Sequence, residues 1–326
     1  MKHMNLLQQM LVATLTATLS ITAGAQSIAL VSSEKDNALT IVNLKDQKVE
    51  GTIPTCKRPR HLQLTPDRKQ VLVACGGDNA ADVIDVATRK SVGRIPLGEN
   101  PEAFDISPDG KTLYVSNEDE GELSFVDIAG KKVVKEVKVG KEPEGVKVSP
   151  DGKTVYVTSE VASMVHVIDT LTAKVVKNIA VGKRPRRMAF TPDGSEVWVT
   201  NELGSSVSII STKEMAVIGT VKFAIKGAKA ADITPVGIIM TRDGKHAFVG
   251  LGRGNHVAFI DVAKREVTQQ VLAGKRAWNV TLNKDETQLY VINGMSDDMT
   301  IIDVASAKAT KTVPVGRVPY GAVLID

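Results

Sequence analysis

Apolar residues in this chain fall in short alternating runs separated by turn-forming clusters. Residues 102–107, 112–117, 123–127 and 133–139 show the unit well. A period of two puts the apolar side chains of each run on one face of a half-buried strand. Ser107-Pro108-Asp109-Gly110 separates the first two runs. Proline presets φ, aspartate bonds the backbone beyond it and glycine accepts a positive φ, so a tight turn is expected. The fourth run alternates valine with lysine and glutamate, which predicts a strand with one face in water.

The unit repeats seven times. Leu30-Val31-Ser32-Ser33, Leu72-Val73-Ala74-Cys75, Tyr114-Val115-Ser116-Asn117 and Tyr156-Val157-Thr158-Ser159 share one frame with Trp198-Val199-Thr200-Asn201, Phe248-Val249-Gly250-Leu251 and Tyr290-Val291-Ile292-Asn293. The spacing is 42 residues at every step except one of 50. That period predicts an all-β, seven-bladed β-propeller of four-stranded blades spanning residues 26–326. The Pro-Asp-Gly turn recurs at 150–152 and 192–194, and Asp243-Gly244 keeps part of it. Asp67-Arg68 and Asp285-Glu286 lack the glycine. Asp85, Asp127, Asp169, Asp261 and Asp303 end the third run of their repeats, with Asn43 and Ser211 in the same place. They read as turn caps rather than catalytic acids. The phase is informative: the repeats begin with a second strand at Ile28 and end with a first strand at 320–325. The C-terminal strand is therefore expected to close the first blade.

Residues 1–25 stand apart. Lys2 and His3 precede an apolar, small-residue run, and Ala23-Gly24-Ala25 fits a small-x-small cleavage pattern. A secretory signal cleaved after Ala25, and hence a periplasmic protein, is expected. No later stretch is long and apolar enough to span a bilayer. Formal charge is +4 and aromatics are 4% of residues, which argues against a broad nucleic-acid surface. Cys56 precedes an innermost strand and Cys75 ends the antiparallel neighbour, so a disulfide is expected in an oxidising compartment.

With these residues in view, the chain resembles the YVTN family of β-propeller repeat proteins. Trp198-Val199-Thr200-Asn201 followed by Val207-Ser208-Ile209-Ile210 carries the resemblance, as does the run from Val139-Gly140 through Pro143 to Ser149-Pro150-Asp151-Gly152. It is also similar to the single-domain propellers associated with PQQ-dependent alcohol catabolism. That resemblance implies an exported binding or scaffold protein beside a periplasmic quinoprotein dehydrogenase or c-type cytochrome. It does not imply the dehydrogenase itself: the chain lacks a vicinal cysteine pair and a Cys-x-x-Cys-His haem site.

Two irregular loop sets mark the face where a ligand would bind, because variable loops on a rigid scaffold carry function. One set precedes each innermost strand. The residue after each proline position should approach the channel mouth: Arg60, Glu102, Glu144, Arg186, Val236, Trp278 and Tyr320. Arg60 and Arg186 suit a small anionic ligand or an acidic partner, and Trp278 and Tyr320 a flat wall. His61, Arg253 and His256 are further candidates on this face. The second loop set is acidic, with Glu34, Glu118, Glu160 and Glu202 among others. The arginines therefore have an alternative use, as solvated rim pairs of about 0–1 kcal/mol each. Residues 222–235 hold the one insertion, either a tolerated surface loop or a lid or docking loop. No metal-ligand spacing and no cofactor motif is present, and none is expected.

Three functions follow from the sequence. The first is the binding or scaffold role. The second is a propeller enzyme of lactonase or lyase type using Glu102, Glu144, Glu160, His61 or His256. The third is single-stranded nucleic-acid binding through Arg184, Arg186, Arg187, Arg253 and Trp278, disfavoured by the neighbouring acids.

Overall fold

Each alternating run becomes a strand, and seven four-stranded antiparallel sheets result. The computed structural model describes residues 27–326; the expected export signal and its cleavage site lie outside them. Blade 1 is built from both chain ends. Blades 2 to 7 cover residues 59–96, 101–138, 143–180, 185–222, 238–272 and 277–314 in order. Within each, strands pair in sequence order from the channel outward. No helix among the described residues is long and apolar enough to cross a membrane.

Pro319–Ile325 pairs antiparallel with Ile28–Ser33, with Ile28 opposite Ile325 and Val31 opposite Ala322. Closure by the C-terminal strand is thus observed. It removes the two open edges that an unclosed ring would present.

Burial follows the strand order. The second strands are almost wholly buried, and Tyr156, Trp198, Phe248 and Tyr290 are at most 1% exposed between blades. The outer strands bury one side chain each (Ile53, Ile95, Val137, Ile179, Val221, Val271 and Val313) and turn the others to solvent. Several of those are lysines, which discourage edge-to-edge pairing.

The turns behave as their chemistry requires. Ser107 Oγ donates to Asp109 at 2.6 Å, Lys111 N donates to the same carboxylate at 3.1 Å, and Gly110 sits at φ 72°. Where the glycine is missing, Arg68 and Glu286 adopt φ 58° and 60° all the same. The blade geometry imposes this left-handed conformation on residues that disfavour it. Asp85, Asp169, Asp261 and Asp303 each accept the backbone N–H three residues on, at 2.7–2.9 Å, as turn caps. Cys56 and Cys75 are joined as a disulfide with Cα atoms 5.8 Å apart, both buried.

Candidate functional site

The seven innermost strands surround the channel, so residues one repeat apart occupy one level of it. The top level is the ring Arg60, Glu102, Glu144, Arg186, Val236, Trp278 and Tyr320, and the structure brings these residues together. Arg60 Nη1 bonds Glu102, and Arg186 Nη2 lies 3.0 Å from Glu144. Val236, Trp278 and Tyr320 form one apolar cluster. Arg60 lies over the Tyr320 ring at 5.5 Å and Arg186 over Trp278 at 5.2 Å, which joins the two halves.

The repeat explains how the ring is held. The hydroxyl at the third position of a second-strand motif donates to the carbonyl of the next blade's ring residue. Ser32 bonds Arg60 O at 2.7 Å, Ser116 bonds Glu144 O at 2.8 Å, Thr158 bonds Arg186 O at 2.9 Å and Thr200 bonds Val236 O at 2.7 Å. Ala74, Gly250 and Ile292 stand at the equivalent place before Glu102, Trp278 and Tyr320. Those three ring residues lack the latch.

Acids from the second loop set complete the mouth. The two loop sets are tied through their backbones, with Glu34 N donating to Val318 O at 3.1 Å, Glu160 N to Glu142 O at 3.0 Å and Glu202 N to Arg184 O at 2.8 Å. Glu34 receives Arg60 Nε at 3.3 Å. Glu160 is bonded by Arg186 Nη1 and by Arg184 Nε at 2.7 Å. Glu202 lies 3.2 Å from Arg184 Nε. The expectation of solvated rim pairs needs correction on burial: Glu102, Glu144, Glu160, Arg186 and Arg187 are all under 9% exposed. The loops converge on the axis, and their side chains desolvate one another.

Arg187 is the member that reading the loops undervalued. It stands one residue below the ring, at the level of His61, Ala103, Gly145, Gly237, Asn279 and Gly321. Its Nη2 bonds the Tyr320 hydroxyl and lies 3.3 Å from Glu144, and its Nη1 donates to Glu144 O at 3.1 Å. A Cβ at Gly145 would come within 2.0 Å of Arg186 O, so this position admits only glycine. The signal was available in the unbroken Arg184-Pro185-Arg186-Arg187 run read against the small residues of its own level.

The histidines are placed differently from expectation. His61 is not in a mouth loop. It belongs to the strand Pro59–Leu64, and alternation turns it away from Arg60 to stack edge-on against Phe104 at 4.8 Å. Burial, reinforced by Arg187 and Lys147, pushes its pKa down to about 3. His256 opens the third strand His256–Asp261, away from the axis, with its Nδ1 2.6 Å from Gly254 O. Arg253 is exposed near Arg276, whose guanidinium lies 3.9 Å from the Trp278 ring centre. Among the described residues neither Arg253 nor Arg276 forms an ion pair, and Trp278 Nε1 has no acceptor.

These surroundings divide the acids. Burial opposes the charge of Glu144, yet Arg186, Arg187 and Arg60 hold its pKa below the ordinary value of 4.5. Burial raises Glu160, and the Glu144 and Glu202 carboxylates add to it; against Arg186 and Arg184 it still reaches about 7. A carboxyl poised there can exchange a proton near neutrality. The insertion follows the strand Ala216–Lys222 and carries one 3-10 turn, Ala230–Asp232. Ser205 Oγ anchors it by donating to Ala230 O at 2.6 Å. The innermost strand after it is short, Ile238–Met240.

Two family models match parts of the chain. That of the YNCE-like β-propeller matches residues 67–148, and that of the lactonase, 7-bladed β-propeller matches residues 168–321. No curated protein matches by sequence. Solved structures share the fold. The Kuenenia stuttgartiensis hydrazine synthase chain is 24% identical with a TM-score of 0.76, covering 83% of this chain and 91% of its own. The Pseudomonas aeruginosa periplasmic gluconolactonase PpgL is 18% identical with a TM-score of 0.78, covering 93% and 99%. Dihydro-heme d1 dehydrogenase NirN is 17% identical with a TM-score of 0.69, covering 91% and 74%. The chain is therefore a seven-bladed β-propeller, similar to YNCE-like propellers over its second and third blades and to lactonase propellers over most of the rest.

Proposed function

We propose that the protein is a hydrolase of anionic lactones acting at the channel mouth. The observation that carries this reading is the coincidence of two features. The stretch similar to lactonase propellers, 168–321, supplies the basic, aromatic side of the mouth, and the carboxyl facing that side is Glu160, raised to about 7. In this scheme Arg253 and Arg276 receive the anionic substituent of the lactone, with Trp278 holding the Arg276 guanidinium in place from beneath. Glu160 takes a proton from the attacking water after Arg184 swings aside; the Arg184 side chain is 43% exposed. A mouth guanidinium stabilises the oxyanion, the ring C–O bond breaks, and the leaving alkoxide recovers the proton. Glu144 stays ionised and positions Arg186 and Arg187.

The test is a panel of neutral, carboxylated and phosphorylated five- and six-membered lactones, read by acid release. Glu160→Gln should lower kcat by about 100-fold or more, and Arg276→Ala should raise KM for the anionic members only. Absence of turnover on every lactone would refute the proposal.

A second reading keeps the binding or scaffold role beside a periplasmic quinoprotein dehydrogenase or c-type cytochrome. The tight mutual burial of the ring residues supports it, because a filled mouth suits contact with a partner surface better than engulfing a substrate. The expected export signal and the disulfide support a periplasmic location. Co-purification with either partner from a strain grown on short alcohols, with no lactone turnover, would favour this reading.

A further inference from the structure

Below the mouth the channel opens into a chamber of about 250 Å³, which no part of the lactonase scheme uses. Arg187, bonded to Tyr320 above, lines its upper end. Its walls are apolar at the level of Leu62, Phe104, Val146, Met188 and Val280. One level further down runs a polar girdle: Gln63, Asp105, Lys147 and Thr281. A wider vestibule shares Gln63, Asp105 and Lys147 with the chamber and is bounded by Pro108, Pro150 and Pro192 of the Pro-Asp-Gly turns. The chamber is therefore entered from the face opposite the mouth.

Its charges cancel. Lys147 Nζ lies 3.1 Å from Asp105, Arg187 is neutralised by Glu144, and His61 is uncharged. A net charge on a ligand would find no counter-charge here, and desolvation would oppose its entry. Hydrogen-bonding capacity nevertheless remains unspent. Gln63 gives its Nε2 to Asp105 at 3.0 Å, but its buried Oε1 has no donor. His61 Nε2 is likewise unpartnered, and only one ammonium contact of Lys147 is used. Free acceptors beside free donors, under an apolar collar, match hydroxyl groups, which donate and accept, on a ring whose C–H faces are apolar. At about 30 Å³ per water the chamber holds roughly eight waters, the space of one sugar ring.

We propose that this chamber is a second ligand site, entered from the Pro-Asp-Gly face, for one small uncharged polyhydroxylated molecule. Thr281→Cys places a thiol at the girdle, and the native cysteines are bonded to each other, so alkylation by iodoacetamide reports on access to the chamber. D-glucose or myo-inositol should slow that alkylation, and D-gluconate, of similar size but charged, should not. Lys147→Met and Gln63→Leu should each weaken protection about tenfold, the loss of a single hydrogen bond to a charged or buried group. Gln63→Leu leaves the ion pairs intact and serves alone if Lys147→Met does not fold. Arg276→Ala, at the mouth on the other side of Arg187, should leave the protection by glucose or myo-inositol as it is. Protection by gluconate equal to that by glucose, no protection by either neutral probe, or protection undiminished in the folded variants would overturn the proposal.

Discussion

The two sides of the mouth occupy equivalent places in the same repeat and are built in opposite ways. On the side of blades 2 to 5, the buried Glu102, Glu144 and Arg186 and the half-buried Arg60 meet as ion pairs. On the side of blades 6, 7 and 1, Val236, Trp278 and Tyr320 pack as an apolar cluster, with Arg253 and Arg276 left unpaired nearby. The blade frame is common to both apart from the insertion before Val236 and the short strand after it, so most of the difference is one of side-chain charge and desolvation. On the charged side each group depends on its partner, because a buried ion without one is costly. On the apolar side no residue needs a counter-charge, and the nearby cations remain available to something else. A repeat can thus hold a rigid, self-satisfied half and a receptive half within one ring.

The largest effect expected is that of removing residues 319–326. This deletes the closing strand and Tyr320, where the two halves meet, and should abolish the single cooperative thermal transition seen by circular dichroism. If the truncated chain melts like the intact one, closure does not hold the ring. Next, Glu144→Leu leaves Arg187 buried without a carboxylate and takes one of the carboxylates from Arg186, which keeps Glu160, and should cost about 3–5 kcal/mol in urea denaturation. Val236→Ala on the apolar side should cost less, about 1–3 kcal/mol. Equal losses would erase the contrast between the sides. Thr158→Val removes one latch and leaves Arg186 O buried without a donor, for about 1–3 kcal/mol.

The pH dependence sharpens the comparison further. Glu160 has a folded pKa near 7, above the ordinary 4.5, so the folded state holds the proton more tightly. Its contribution to stability is present below pH 4.5 and is lost as pH rises towards 7. Glu144 has the opposite sign, with stability present above its ordinary range and lost as pH falls through its depressed folded value. Glu160→Gln should flatten the decline between pH 4.5 and 7 in denaturation curves taken across that range; an unaltered slope would mean that Glu160 titrates normally. The smallest expected effect is that of Arg276→Ala, which removes a cation–π contact of about 0.5–1 kcal/mol and should leave the pH profile as it was.

Much of this was legible in the chain. The 42-residue period set the number of blades, the turn chemistry set the strand boundaries to within a residue or two, and the phase set the closing strand. The same period named the seven ring residues, because equal spacing on a closed ring means equal height in the channel. The second loop set supplied Glu160 and Glu202, read as rim acids, and His61 was placed one level too high. Loop sequence alone does not say how far a chain continues as strand before it turns, and the continuation of Pro59–Leu64 through His61 decides which way that ring points.

The sequence by itself determined the propeller, its closure and the shared level of the seven ring residues, since these depend on local alternation and on counting. Tertiary structure alone decided which charges are buried. Arg187 reaches Tyr320 of the closing strand, 133 residues away in sequence, only through the closed ring, and Gly145 is needed there because the Arg186 carbonyl of the next strand lies against it. Desolvation depends on what every other blade places at the same height, and no single repeat contains that information.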